Sequence, residues 1–378
     1  MVKRRFSRIG TVGAAMRIRA ANREFERWLK GQLHGELVEA DLDEKHKKMR
    51  ESAFAFLRAT YWRWAETILD ICPDLADAPP VLAVGDTHLE NFGTWTDKEG
   101  RIVWGVNDYD ECAEMPYILD LVRLATSAAL AAKPGEISLK AICRNIFEGY
   151  ENGLETPEGF VLDRAHMWLR TRFVVGEAAR TLFWKKLDEQ YADVLAKKHP
   201  EQPPPRWRKL FMQALPEPGI TLTYWRHSAG TGSLGRPRWL GFGNWRSGPL
   251  LREGKALVPS AWTRVHGGAG SRLRLNDIAR GKYRSPDPWY AADGPLLMRR
   301  LSPNNRKIDA LDHRDALKLL HPDLLWAMGR DLAGVHVGVH DRREALRADL
   351  KKRKQRWFRT SAETAAEFVA REFAEWKK

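Results

Sequence analysis

The residues with chemistry in them stand close together along the chain. Asp86 and Asn91 lie in Gly85-Asp86-Thr87-His88-Leu89-Glu90-Asn91, and Asp108 and Asp110 in Asn107-Asp108-Tyr109-Asp110. Carboxylates and an amide oxygen, with no cysteine among them, suit a hard cation such as Mg²⁺. That ion keeps waters and needs only one or two protein carboxylates beside substrate phosphates. An Asp five residues before an Asn leaves one side chain free for a proton while the other holds metal. Phosphoryl transfer needs such a set: a base for the acceptor hydroxyl, and ligands for metal bound to nucleotide. Singly, each residue reads as an ordinary loop Asp or Asn. Together, between apolar strands, they read as a site.

The elements that must position them are legible. Val81-Leu82-Ala83-Val84 is a short apolar run, read as a buried strand. Phe92–Trp95 and Arg101–Val106 read as hairpin arms, turning through Asp97-Lys98-Glu99-Gly100. A helix is expected from about Tyr117, with Leu121, Leu124, Ala125 and Ala128 at helical spacing. Two acidic loops at the same ends of neighbouring strands would bring the four polar residues together.

Asp86, then Asn91, a hairpin and Asp108 resemble the catalytic loop and metal-binding Asp of the protein-kinase-like superfamily. The likeness is closest to the aminoglycoside and choline phosphotransferase branch, whose Asp-Leu pair beyond the metal Asp is matched by Asp120-Leu121. More narrowly, GDTHLENFG, NDYDE and DLVRLATS resemble the bacterial domain of unknown function 2252 family (DUF2252), over most of the chain. The resemblance implies that Asp86 is the catalytic base and that Asn91 and Asp108 are metal ligands. It implies that Asp120 is a buried brace of the catalytic loop. Val84 stands where many of the wider superfamily carry His. His88 reads as a packed or hydrogen-bonded loop residue.

Before this block the chain is helical in pattern. Residues 1–20 are basic and read as frayed. Ala21 to about Asp70 reads as helix, strongest over Met49–Leu69, with no strand before Val81. The β-lobe that holds nucleotide in kinase-like enzymes therefore has no source upstream. Downstream, Glu136–Leu154 and Asp163–Lys198 read as helices, and Pro203-Pro204-Pro205 lies in a basic connector. From Gly219 to Leu301 the pattern changes. Ile220–Arg226, Arg238–Phe242, Pro249–Val258 and Pro295–Leu301 read as strands. Between the first two lies Ser228-Ala229-Gly230-Thr231-Gly232-Ser233-Leu234-Gly235, where glycines let backbone N–H groups approach phosphates. Lys255 follows on a strand, where kinase-like enzymes place their phosphate-binding lysine. Asp277 is the best candidate for its acidic partner. Ser302-Pro303-Asn304-Asn305 reads as a hinge. Residues 311–378 are helical again. Lys351-Lys352-Arg353-Lys354 reads as a solvated basic face and Ser361 as a helix cap.

The expected fold is α+β: a protein-kinase-like two-lobe fold, circularly permuted. Residues 1–215 form a helical large lobe with the catalytic and metal-binding loops. Residues 216–302 form a small β-rich nucleotide-binding lobe, and residues 303–378 complete the large lobe. The expected function is ATP- and Mg²⁺-dependent phosphotransfer to an unknown small-molecule or protein hydroxyl acceptor. Gly230, Gly232, Ser233, Gly235 and Lys255 would bind ATP, and Asn91, Asp108 and Asp110 the metal, Asp110 as ligand or brace. The same site could transfer AMP or only bind nucleotide. Asp86-Thr87-His88 also matches one opening of a two-metal phosphoesterase, though no Gly-Asn-His cluster follows.

The net charge of +14 favours anionic partners. Nucleic acid remains an alternative, though no zinc finger or RNA-binding signature is present. Cys72, Cys112 and Cys143 show no paired spacing, which argues against a disulfide scaffold and for a reducing, cytoplasmic setting. No apolar stretch reaches the roughly 18 residues a membrane span needs.

Overall fold

A computed structural model describes residues 16–267, 274–308, 313–353 and 356–378. The basic start before Met16 and Lys354 of the basic run lie outside the described residues. Helix α5 (Ile118–Ala131) runs through the main hydrophobic core. Asp120 and Arg123 are its charged residues, and it is buried over most of its length, as its apolar sequence requires. Beside it, α6 (Leu139–Glu155) and α13 (Pro322–Gly338) meet backbone to backbone. A Cβ on Gly149 would lie 1.9 Å from the Trp326 carbonyl oxygen, and one on Gly329 2.0 Å from that of Ile146. Only glycine permits this approach.

The N-terminal helices are α1 (Ile18–Gln32), α2 (Glu39–Lys48), α3 (Ala53–Ala59) and α4 (Tyr61–Ile71). The expected continuous run over Met49–Leu69 is divided at Thr60, whose hydroxyl bonds the Phe56 carbonyl at 2.6 Å. Similarly, Asp163–Lys198 resolves into α7 (Met167–Phe173) and α8 (Glu177–Leu195). At the other end of the chain are α12 (His313–Leu319), α14 (Arg343–Lys352) and α15 (Trp357–Lys377). Ser361, expected to cap, lies inside α15, which already begins at Trp357.

Strand β1 (Pro80–Ala83) pairs antiparallel with β4 (Ala113–Pro116), Leu82 opposite Glu114. The expected hairpin is β2 (Phe92–Thr96) and β3 (Ile102–Val106), Phe92 opposite Val106, extended by β5 (Phe160–Val161). The two acidic loops therefore leave strands of different sheets, not neighbouring strands of one sheet.

A separate five-stranded antiparallel sheet has the order β6-β7-β8-β10-β9. Its strands are β6 (Thr223–Arg226), β7 (Arg238–Trp245), β8 (Gly248–Ala256), β9 (Ala291–Asp293) and β10 (Leu296–Arg300). A tight turn joins β7 to β8 with Arg246 and Ser247 both at positive φ, 46° and 65°. Two helices, α10 (Ala261–His266) and α11 (Leu275–Ala279), separate β8 from β9. The Pro-rich connector ends in α9 (Pro205–Gln213), with Pro205 as its first residue, a favoured place for proline. Trp207 and Phe211 of α9 pack on Gly254 and Gly241 of the sheet. Leu187 and Val194 of α8 pack with Trp225, Leu240 and Phe242. Both helices precede residue 216, so the unit built around the sheet recruits chain upstream of the expected boundary. The architecture is mixed α+β.

Candidate functional site

The loop after β1 is held by Asp120 of α5. Its carboxylate accepts from the Val84 N–H at 2.7 Å and the Gly85 N–H at 2.9 Å. Thr87 Oγ1 donates to the Asp120 carbonyl at 2.9 Å. His336 Nε2 of α13 lies 3.0 Å from the same carboxylate, and its Nδ1 is 2.9 Å from the Tyr150 hydroxyl. Asp120 thus braces the loop, and His336 braces Asp120. This supplies from α13 the support that Val84 cannot. Gly85 has φ +86°, and a Cβ there would meet the Glu111 carbonyl oxygen at 2.4 Å.

Asn91 joins the two acidic loops. Its Nδ2 donates to the carbonyls of Asp86 and Asp108, both at 3.0 Å. Its Oδ1 is buried without a partner, an acceptor that ordinarily finds one. Asp86 takes the Arg123 Nε–H at 3.0 Å through Oδ1. Arg123 is itself fully buried, between the rings of Tyr61 at 5.0 Å and Trp64 at 5.2 Å. Burial raises the Asp86 pKa, and Arg123 opposes the rise. His88 also lines the cleft. Burial, with Arg58 and Arg123 nearby, pushes its pKa well down. The ring is therefore neutral, and Nδ1 accepts from the Glu90 N–H at 3.2 Å.

The small sheet closes over this floor. Lys255, on the third strand of the sheet, reaches down to Asp110, with Asp108 at 3.7 Å. Burial pushes the Asp108 pKa up, but Lys255, Lys307 and Arg299 outweigh it and hold the carboxyl well below its usual range. Asp110 also faces Arg236 at 3.6 Å, and Arg236 pairs with Glu111 at 2.6 Å. In this geometry Asp110 serves as a brace for the cations. Asp277 is not the partner of Lys255. It sits on α11 and pairs with Arg274 at 2.6 Å, because Asp108 and Asp110 take the place expected for it.

The glycine-rich segment connects β6 to β7. Gly232 lies directly above Asp86: a Cβ there would be 3.0 Å from the Arg58 carbonyl and 3.5 Å from Asp86 Oδ2. Gly230, Gly232, Ser233, Lys255, Asp86, Asn91, Asp108 and Asp110 all line one cavity of about 80 Å³. Gly235 does not. Its φ is +93°, and it packs on Leu42 and Leu37 beside α2. Helix α2 clasps this segment. The Val38 N–H bonds the Gly235 carbonyl at 3.0 Å, Lys45 Nζ bonds that of Gly232 at 3.3 Å, and Ser228 Oγ bonds Asp41 at 2.6 Å.

Residues 37–181 match the model of the family described as an uncharacterized protein conserved in bacteria, DUF2252. The matched span carries Asp86, Asn91, Asp108, Asp110, Asp120 and Arg123, and the five-stranded sheet lies beyond it. No curated protein and no solved structure matches the chain.

Arg123, Arg236, Lys307 and His336 were not singled out in the sequence. Arg123 left a signal: a lone cation in an otherwise apolar helix must find a buried partner. The others come from distant segments and left none.

Proposed function

We propose that this chain is an ATP- and Mg²⁺-dependent phosphotransferase of kinase-like type, with its nucleotide lobe following the catalytic loop in sequence. The observation that carries the reading is Lys255 over Asp108, with Gly232 over Asp86, in one cleft. A lysine on the third strand of a small sheet, below a glycine-bearing turn, is the phosphate-binding arrangement of such enzymes. The lone Oδ1 of Asn91 and the Asp108 carboxylate belong to residues that line the same cavity, and oxygens of these types suit a hard cation. Among the described residues no group of three or more His, Cys, Asp and Glu is arranged for a metal ion. Substrate phosphates would supply the remaining oxygens, as they commonly do for Mg²⁺.

Asn91 and Asp108 would hold the metal, which when bound would neutralise charge on the phosphates. Lys255 would leave Asp110 for the phosphates. Asp86 Oδ2, free of Arg123, would orient the acceptor hydroxyl and take its proton as the new O–P bond forms and the bond to the leaving ADP breaks. Arg123 would fix Oδ1 and so the direction of Oδ2. If the same site transferred AMP, pyrophosphate would leave in place of ADP, so the leaving group identifies the reaction.

Calorimetry with ATP, with and without Mg²⁺, on wild type and Asp108→Ala tests the reading. The expected outcome is saturable, Mg²⁺-dependent binding, weakened at least tenfold by Asp108→Ala and abolished by chelation of the metal. Absence of ATP binding to wild type under both conditions sinks it. Metal-dependent cleavage of a simple phosphoester without ATP then favours the hydrolase alternative.

A further inference from the structure

A second cavity, of about 310 Å³, adjoins the charged cleft. Its size falls at the lower end of small-molecule sites, roughly 300–1,000 Å³, whereas the charged cleft is far below that range. Trp95, Tyr109, Tyr290 and Leu301 are among its walls. Three buried polar atoms of residues on those walls have no partner among the described residues: Asn107 Oδ1, Asn305 Oδ1 and the Tyr290 hydroxyl. Two of them are acceptors, so the occupant they suit carries N–H donors on a flat, stackable body.

Lys307 lines both cavities. The other cations around them are engaged. Arg284 pairs with Asp331 at 2.7 Å, Arg300 with Asp287 at 3.1 Å, and Arg299 with Glu253. Arg58 pairs with Glu90 at 2.6 Å and Arg123 with Asp86. Lys307 makes no side-chain hydrogen bond or ion pair with any described residue, and its side chain is exposed to the cleft. Its backbone is fixed: Lys307 forms a bridge with Gly93 on β2. A Cβ on Gly93 would lie 2.5 Å from the Arg306 carbonyl and 3.1 Å from Lys307 Cγ. Glycine just after Asn91 therefore lets this lysine stand beside the acidic loops.

We propose that Lys307 receives the phosphate of a ligand whose planar, N–H-bearing ring occupies the adjoining apolar cavity. The inference rests on the nucleotide reading above and adds a phosphate-binding residue and a ring site to it.

The test measures binding of ATP, inorganic triphosphate and adenosine to wild type, Lys307→Gln, Lys307→Arg and Tyr290→Phe, with thermal melts to verify folding. Lys307→Gln is expected to weaken ATP and triphosphate roughly 10- to 100-fold and leave adenosine unchanged. Lys307→Arg restores most of the affinity. Tyr290→Phe weakens adenosine and ATP and spares triphosphate. Wild-type affinity for triphosphate in Lys307→Gln overturns the phosphate assignment, and wild-type affinity for adenosine in Tyr290→Phe overturns the ring assignment. If ATP binding needs Asp108 and Mg²⁺ but not Lys307, this proposal fails and the phosphotransferase reading stands. If triphosphate binding needs Lys307 while Mg²⁺-dependent ATP binding is absent, that reading fails and the anion site stands.

Discussion

Asp86 is held at one oxygen by Arg123 and open at the other. Asp86→Asn keeps the shape and removes the proton acceptor. We expect ATP turnover to fall roughly 10²- to 10⁴-fold, with Mg²⁺-ATP affinity within about threefold of wild type. Steady-state ADP release and calorimetry, on the same preparation, separate the two effects. A second carboxylate gives a test that does not depend on function. Glu253 shares a face of β8 with Lys255, two residues on. It is buried between Arg238 and Arg299. Burial alone would raise its pKa, but Arg299 and Arg238 outweigh it and bring the carboxyl to about 2. Because the folded pKa is depressed, the associated stability is fully present above the unfolded value near 4.3. It is lost as pH falls through that window toward 2. Between pH 5 and pH 2, wild type should lose on the order of 3 kcal/mol more than Glu253→Gln, read from urea midpoints. Equal losses in the two proteins count against the paired carboxylate.

At the scale of elements, the crossing of α6 and α13 is the least tolerant contact. Gly149→Ala drives a methyl into the Trp326 carbonyl, and backbone cannot yield as a side-chain tip can. We expect a loss of roughly 3 kcal/mol or more, measured by chemical unfolding. Gly176, which has open space around it, should accept alanine with little change. A small loss in Gly149→Ala would mean the helices separate readily. The elements themselves were legible where periodicity was strong: the hairpin Phe92–Val106, the start of α5 and the strand bearing Lys255 lie close to expectation. What failed had local causes. Thr60 leaves the helical conformation, with φ −123° and ψ 39°, between α3 and α4. The β7–β8 turn uses Arg246 and Ser247 at positive φ, without the Asn-Gly signal such turns usually carry. Asp277 misled because its partner is Arg274, the residue just before its own helix. The acidic loops were legible because their residues are near in sequence. Lys307 and Arg236 were not, since only the folded chain brings them to Asp108.

At the scale of the molecule, the segment that leads into α8 and the segment that follows β10 lie side by side. Arg306 donates to the Val174 carbonyl at 3.3 Å, and Arg180 to Asn304 Oδ1 at 2.9 Å. The sheet also shares one continuous hydrophobic core with the helices, Trp239 and Leu297 lying in the same cluster as Leu121 and Leu325.

The clasp of α2 on the glycine-bearing segment sets a tempo. A guest larger than the closed cleft would need Val38, Asp41 and Lys45 to release that segment first. Arrival then waits on spontaneous release of the clasp, and crowding more guests at the mouth does not hasten it. The cleft would then fill at a pace written into an N-terminal helix, well before the lysines and carboxylates of the cleft in the chain.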